Sequence, residues 1–405
     1  MLRHPLGNRD LIRALNRSAV LNTIKTDGPI ARTEVARRTG LSAATVTGIT
    51  AELIAAGLIF EKATGDSRGG RRPILLSLQP RGGFVVGLKL TETQVIGALM
   101  DLEATVLAKR TDPLLGRSPE QAVETLAASV SNLIRKSRIR KQQLLGVGVG
   151  LAGIVDAERG LLRQSPYFGW RDVPLRDMLQ ACVRVPAYID NDVNTLTLAE
   201  RWFGAGQGVD DFLTITVGRG VGLGIVANGQ FYRGAHGGAG EFGHTVVDPD
   251  GPPCDCGKRG CLEAFVGDPG LLRMASEAVA QGDGGRPVET VSDLLAQAQA
   301  GNPAAQKVFA RAGELLGRGI ANLINVLDPQ LIIISGEGVR AGDWLFNPMR
   351  ESIARHVMPG LAHDTQMRID PWGDDAWARG AGTLVLRELF ESPMHRKPAR
   401  IAEPI

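Results

Sequence analysis

Apolar residues fall on two different periods in the two parts of this chain. Near the N-terminus Leu11, Leu15, Val20, Leu21 and Ile24 recur close to every 3.6 residues, the spacing of one buried helix face, and Asp27-Gly28-Pro29 stops that helix because proline cannot continue it. A second short helix is predicted over Arg32 to Thr39. Gly40-Leu41-Ser42 then supplies a turn and an N-cap, and a third helix runs from about Ala43 to Ala56. Its inner stripe is Val46, Ile49 and Leu53, which leaves Ala43, Ala44, Thr45, Thr47 and Gly48 facing outward. After Gly57-Leu58-Ile59, the stretch Phe60 to Leu78 reads as a two-stranded wing with a glycine-rich basic tip over 65–73.

From Gly82 the texture changes to β-branched runs separated by glycines. Strands are expected over Phe84 to Leu90, Val95 to Leu102, Leu144 to Gly150, Ala187 to Ile189, Phe212 to Val217, Gly222 to Ala227 and Leu331 to Ser335. Helices alternate with them near Pro119 to Arg135, Asn194 to Phe203, Pro269 to Ala280 and Ala304 to Leu327, which is an α/β pattern. At 405 residues the chain exceeds what one core usually serves, so two or three domains are expected. The segment after Glu391, with Pro393, Pro398 and Pro404, reads as a frayed tail.

Charge sharpens the division. Residues 1–80 hold 12 Lys and Arg against 6 Asp and Glu, whereas the remainder is net −3. A basic module on a mildly acidic body suggests a polyanion partner for the first and a small molecule for the second. A helix-turn-helix puts its second helix in the major groove, where hydroxyls reach base edges and alanine methyls meet thymine methyls. Thr45 and Thr47 are the base-reading candidates, with Ser42, Arg32 and the wing residues Arg68, Arg71 and Arg72 as further DNA contacts. The competing reading is a solvated basic loop on a protein-binding helical domain. No apolar leader and no run of about eighteen apolar residues occurs, so a cytoplasmic location is expected.

Four soft or borderline ligands fall within eighteen residues: His244, Cys254, Cys256 and Cys261, spaced His-x9-Cys-x-Cys-x4-Cys. Four such ligands suit a closed tetrahedral zinc that shapes a loop and leaves no position for an activated water. Gly251-Pro252-Pro253, Gly257 and Gly260 supply the tight turns that chelation needs, and the alternative is three buried thiols beside an unrelated histidine. Cys182 stands alone and is expected to be a buried core thiol.

Four motifs carry a resemblance: Asp190-Asn191-Asp192-Val193-Asn194, the glycine-rich run Gly218 to Gly224, Gly240-Glu241-Phe242-Gly243-His244, and Cys254 to Glu263. Together they resemble the ROK family of bacterial repressors and sugar kinases, and the basic wing resembles its repressor branch. The resemblance implies a two-lobed actin-like or ribonuclease-H-like body behind a winged helix-turn-helix, with sugar held between the lobes. The implied division is a DNA-binding head over 1–80, a smaller lobe over 81–194 completed by about 381–405, and a larger lobe over 195–380 carrying the zinc loop. It also implies that Gly153, Asn191, Asp192, Glu241, His244 and Glu263 contact the sugar, with His244 serving metal and sugar at once. Taken singly, Asn191-Asp192 could be a strand-end turn and Glu241 a solvated acid.

The pattern departs from the family's kinases on the first body hairpin. Lys89 stands at the position of an aspartate that supports the magnesium nucleotide, and Thr91 at that of a glycine that lets backbone approach phosphate. Asp192 matches the kinase base, yet a base without a phosphoryl donor can only hydrogen-bond, so no catalytic residue is assigned. The expected function is a sugar-responsive repressor acting as a homodimer or higher oligomer on a palindromic operator. The alternatives are a bifunctional sugar kinase and a repressor controlled by a protein partner.

Overall fold

The structure, a computed structural model, describes residues 9–62, 73–282, 284, 286–361, 364–370 and 375–390. The head contains α1 (Arg9–Asp27), β1 (Ile30–Ala31), α2 (Arg32–Thr39), α3 (Ala43–Ala55), β2 (Ile59–Lys62) and β3 (Leu75–Leu78). β3 lies between β1 and β2, so the wing is a three-stranded sheet with one strand borrowed from before α2. Val20, Leu21, Ile24, Val35, Val46, Ile49 and Leu53 close the core of the helix-turn-helix. Leu11, expected on the same inner face, is exposed, because the buried stretch of α1 begins at Val20. Arg68, Arg71, Arg72 and the tail after Glu391 lie outside the described residues.

The first part of the body comprises β4 (Phe84–Leu90), β5 (Gln94–Met100), β6 (Val106–Pro113), α4 (Pro119–Ser137), β7 (Leu144–Leu151), β8 (Ile154–Asp156), β9 (Leu161–Gln164), β10 (Arg171–Val173), α5 (Leu175–Val183), β11 (Ala187–Asn191) and α6 (Asp192–Phe203). The second comprises β12 (Phe212–Val217), β13 (Val221–Ala227), β14 (Gln230–Tyr232), α7 (Glu263–Val266), α8 (Asp268–Ala280), α9 (Val291–Gln299), α10 (Pro303–Leu327), β15 (Leu331–Ser335), α11 (Asp343–His356), β16 (Gln366–Ile369) and α12 (Asp375–Phe390). The two large sheets run β11-β7-β4-β5-β6 and β14-β13-β12-β15-β16, and β8 to β10 form a small sheet of their own. Numbered in chain order, both large sheets read third, second, first, fourth, fifth, with an antiparallel hairpin pair followed by two parallel strands. The body is therefore one architecture used twice, and the parallel crossovers put helices over each sheet.

α12 is last in sequence yet packs on β4, β5 and β7 of the first sheet and along α6. Val85, Met100, Leu102, Val385, Leu386 and Phe390 join the head's own core, so head and body share apolar packing. At that junction the Lys25 ammonium of α1 lies 3.7 Å from the Trp202 ring, 4.9 Å from Phe390 and 5.2 Å from Phe203. Cys182 corrects an expectation of burial: on α5 the inner face is Leu175, Leu179 and Val183, and Cys182 falls off that stripe and is exposed. No helix of the described residues is long and apolar enough to cross a membrane.

Near the end of α6, the Glu200 carboxyl is fully buried; Oε2 accepts from Ala205 N at 2.8 Å and Oε1 has no hydrogen-bond partner. Loss of solvation pushes its pKa up to about 7. An acid whose folded pKa is raised binds its proton more tightly in the folded state, so stability falls as pH rises from the unfolded value through the folded one. The loss amounts to about 3 kcal/mol at most, complete above pH of about 7. Glu200→Gln should raise the thermal midpoint at pH 8 and leave it nearly unchanged at pH 4.5, as differential scanning calorimetry would record.

Candidate functional site

At the start of α3 the Ser42 hydroxyl accepts from Thr45 N at 3.1 Å, closing the predicted cap, and lies 2.9 Å from the Thr45 hydroxyl. Thr45 is thereby half withdrawn, whereas Thr47 is exposed with its hydroxyl donating to Ala43 O at 2.8 Å, which leaves its oxygen free to accept. Ala43, Ala44 and Gly48 are exposed beside it. Arg32 is engaged internally. Its guanidinium donates to the Thr50 hydroxyl at 3.1 Å and pairs with Glu61 at 2.7 Å, bracing α3 against the wing.

Strand β11 turns directly into α6, which fixes the pair Asn191-Asp192. Asn191 Oδ1 caps the helix by accepting from Val193 N and Asn194 N at 2.9 and 3.3 Å, and Nδ2 donates to Gly153 O at 3.1 Å. One amide N–H of Asn191 remains for a ligand. Beneath it Asp190 is fully buried and fully satisfied: Oδ1 accepts from Asn191 N and Asn194 Nδ2, and Oδ2 takes a fork from Arg233 at 2.6 and 2.8 Å. Arg233 follows β14, so this pair ties the second sheet to the first at the base of the cleft.

Asp192 Oδ2 lies 3.5 Å from the Lys89 ammonium, which sits 3.4 Å from the centre of the Trp377 ring. Both charged groups are largely withdrawn from solvent, at 13% and 15% exposed. The Thr91 hydroxyl is spent within its own turn, donating to Gln94 O at 2.9 Å and accepting from Gln94 N at 3.1 Å. The β4–β5 turn is thus closed by its own side chain, and a cation held on an aromatic face stands next to the acid at the head of α6.

Across the cleft the loop from Glu241 to Glu263 folds back on itself. Val246 pairs with Cys261, Val247 N donates to Gly260 O at 2.8 Å, and Leu262 N donates to Thr245 O at 2.9 Å. Gly260 is left-handed at φ 68°, and a Cβ there would overlap Asp248 O, so only glycine closes this turn. The fold-back gathers the ligand atoms of His244, Cys254, Cys256 and Cys261 within 4.8 Å of one another. Cys254 Sγ is 3.6 Å from His244 Nδ1, and Cys256 Sγ is 3.6 Å from Cys261 Sγ. A tetrahedral ion with bonds of about 2.0–2.3 Å requires ligands roughly 3.5–3.8 Å apart, so the donor set fits a metal. Burial pushes the Cys254 thiol up to about 12 and raises that of Cys261. Buried thiols held this close stay protonated unless a cation compensates them.

The metal cluster and the cleft share a wall. His244 turns Nε2 towards Glu241 at 3.7 Å and has Nδ1 3.9 Å from Glu263. Glu263 accepts from Val221 N at 2.9 Å, which holds it against the start of β13. Partial loss of solvation raises the Glu241 pKa, although its side chain keeps 43% exposure; His244 opposes this, and Glu263 and Asp192 add to it. Tyr167 is raised too, by burial and then by Glu263, with Arg219 opposing and Asp192 and Glu92 adding. Arg219 bridges Glu92 and Asp255 at 3.4 and 3.5 Å with Tyr167 against its guanidinium. Carboxylates from both halves of the body thus converge on one polar cleft, a surface rich in acceptors and suited to a polyol. Tyr167, Arg219 and Trp377 were not singled out from the sequence. Arg219 stood inside the glycine-rich motif and was legible there, whereas nothing local marks Trp377.

Residues 85–388 match the ROK family model and residues 9–59 match that of winged helix-turn-helix DNA-binding domains. The chain is 31% identical to a xylose repressor of Caldicellulosiruptor bescii over 96% of its length and 99% of that protein. It is 33% identical to the DNA-binding transcriptional dual regulator NagC of Escherichia coli K12 over 86% of each. A solved ROK family transcriptional regulator, described as a homologue of the E. coli MLC protein, superposes with a TM-score of 0.84 at 27% identity, covering 94% of this chain and 97% of that one. A ROK glucokinase from Streptomyces griseus, solved with glucose and AMPPNP, superposes at 0.65 with 30% identity, covering 75% of this chain and 99% of that one.

Proposed function

The chain belongs to the ROK family, and from that premise we propose that it is a sugar-responsive DNA-binding repressor whose body binds a carbohydrate without phosphorylating it. The observation that carries this reading is the Lys89 ammonium, seated on Trp377 beside Asp192. Phosphoryl transfer requires a positioned metal and nucleotide, and a fixed cation where the metal's carboxylate partner stands in the family's kinases opposes both. The relative named as a xylose repressor and the solved ROK transcriptional regulator each match nearly the whole chain, head included, which supports the same reading.

In this account Asp192, Glu241 and Glu263 accept hydrogen bonds from sugar hydroxyls, the spare amide N–H of Asn191 donates, Gly153 lies at the backbone edge, and His244 presents Nε2. We assign zinc to His244, Cys254, Cys256 and Cys261; when bound it supplies a fixed crosslink within the loop. The functional division we propose is a head over 1–80 and two lobes meeting near residue 194. Two subunits would offer Ser42, Thr45 and Thr47 to half-sites of a palindromic operator, with Arg68, Arg71 and Arg72 gripping its backbone.

Two helices connect cleft to head. α6 starts at Asp192 and ends at Trp202 and Phe203, and α12 carries Trp377 against Lys89 near one end and Phe390 under Lys25 at the other. Each span is roughly 15–20 Å of rigid helix. Sugar that displaces the Asp192–Lys89 pair would shift both rods where Lys25 of α1 rests on them. The resulting coupling is about 1–3 kcal/mol and reciprocal. Lys25→Ala should leave sugar affinity unchanged and collapse the effect of sugar on operator affinity to less than about threefold. Fluorescence anisotropy with and without sugar measures it, and full coupling in the variant removes Lys25 from the route.

The primary test pairs a thermal-shift screen of pentoses, hexoses and amino sugars with gel shifts on DNA upstream of the chain's own gene. One sugar should both stabilise the protein and change its DNA affinity. A sugar-independent protein whose DNA binding answers only to a second protein overturns the reading.

A further inference from the structure

A cavity of about 910 Å³ lies at the joint between head and body, among residues that the proposed sugar site does not use. Three arginines from three places in the chain line it: Arg17 on α1, Arg81 in the linking turn Pro80–Gly82, and Arg140 ahead of β7. No Asp or Glu lines it, and among the described residues none of the three guanidiniums has an acid partner. Elsewhere in the head arginines are paired, as Arg13 is with Glu52, Arg32 with Glu61, and Arg37 and Arg38 with Glu34. The rest of the wall is small or apolar, with Ala56 and Leu389, or carries neutral amides such as Gln142.

The joint itself is held. Gln79 N donates to Leu58 O at 2.8 Å and Leu102 N to Pro80 O at 3.0 Å, and a Cβ on Gly82 would overlap Gly57 O. The cavity thus has one fixed seam, with Arg17 on the head side and Arg140 on the body side. It opens at the end of α3, whose thirteen residues put it roughly 20 Å from the cap at Ser42. That distance separates it from the part of the helix that would meet bases.

We propose that this cavity binds a small organic molecule carrying a phosphate dianion, which bridges head and body through Arg17, Arg81 and Arg140. Like charges gathered without acids repel one another and draw in a counter-anion. Guanidinium forks match the oxygens of a phosphate, which can serve several arginines at once. The volume falls in the range of sites for organic ligands, about 300–1,000 Å³, and the apolar and amide wall serves the remainder of the molecule. Binding here would hold the head in one orientation on the body, giving operator affinity a second input independent of sugar.

Phenyl phosphate is a suitable probe, since it carries the dianion on an apolar group and no sugar. Isothermal titration of the full chain should find one site per chain, tighter than that for inorganic phosphate. Arg81→Gln combined with Arg140→Gln should weaken it by at least about tenfold, and Asp192→Ala in the sugar cleft should not. Absence of binding in the millimolar range, equal binding by the arginine variant, or loss on Asp192→Ala overturns the proposal. The salt dependence of DNA binding, on a duplex selected in vitro, separates the remaining possibility. With no phosphate compound present the double variant should keep the wild-type slope, whereas a slope reduced by about two means that these arginines grip DNA and the cavity is not a ligand site.

Discussion

Asp192→Ala should weaken sugar binding by about a hundredfold while leaving metal content unchanged. A carboxylate that accepts from a sugar hydroxyl contributes roughly 1.5–3 kcal/mol, and a hundredfold corresponds to about 2.7 kcal/mol. Asp190 and the Arg233 fork remain in place beneath it, so the β11–α6 turn keeps its shape. Lys89 loses its acid but retains the Trp377 face. Titration calorimetry with the sugar identified by screening reads the effect directly. An affinity within threefold of wild type would remove Asp192 from the sugar site.

Cys261→Ser should cost most of the metal and, with it, the sugar response. Cys261 is completely buried and paired through its backbone with Val246, so a serine there offers a poor ligand that cannot swing out to solvent. The loop would then be held by its backbone hydrogen bonds alone, and Glu241, His244 and Glu263 would lose their common anchor. A strong chelator should produce the same loss in the wild type, restored by zinc. Metal analysis of the purified variant, set beside its sugar titration, gives the check. A metal content equal to wild type would disprove the ligand assignment, and a normal sugar response in metal-free protein would separate the loop from effector binding.

How far the sequence predicts this molecule differs by element, for physical reasons. Strands buried on both faces, such as Phe84–Leu90, Phe212–Val217 and Leu331–Ser335, read as uninterrupted β-branched runs, and their predicted limits coincide with the observed ones. The short helix α2 and the cap at Ser42 were equally legible, because turn chemistry is local. The edge strand Val106–Pro113 alternates exposed charges with partly covered residues and was missed. So was α12, whose glycines and single tryptophan make sense only once it lies across strands β4, β5 and β7, more than two hundred residues earlier in the chain. Cys182 went astray for want of a helix phase: α5 was not predicted, and without it nothing said which face the thiol occupied. In the cleft, ligands close in sequence were visible as motifs. Partners supplied from a distance, Trp377 under Lys89 and Tyr167 beside Arg219, required the fold.

The most direct test of a carbohydrate site divorced from phosphoryl transfer is a single sample holding protein, labelled operator, sugar and magnesium ATP, followed at once by anisotropy and by ADP release. The account predicts that sugar alone shifts operator affinity to its full extent, that ATP adds nothing, and that ADP does not accumulate above the sugar-free background. Sugar-dependent ADP production at the rate of a sugar kinase, or a DNA response that requires ATP, would contradict it.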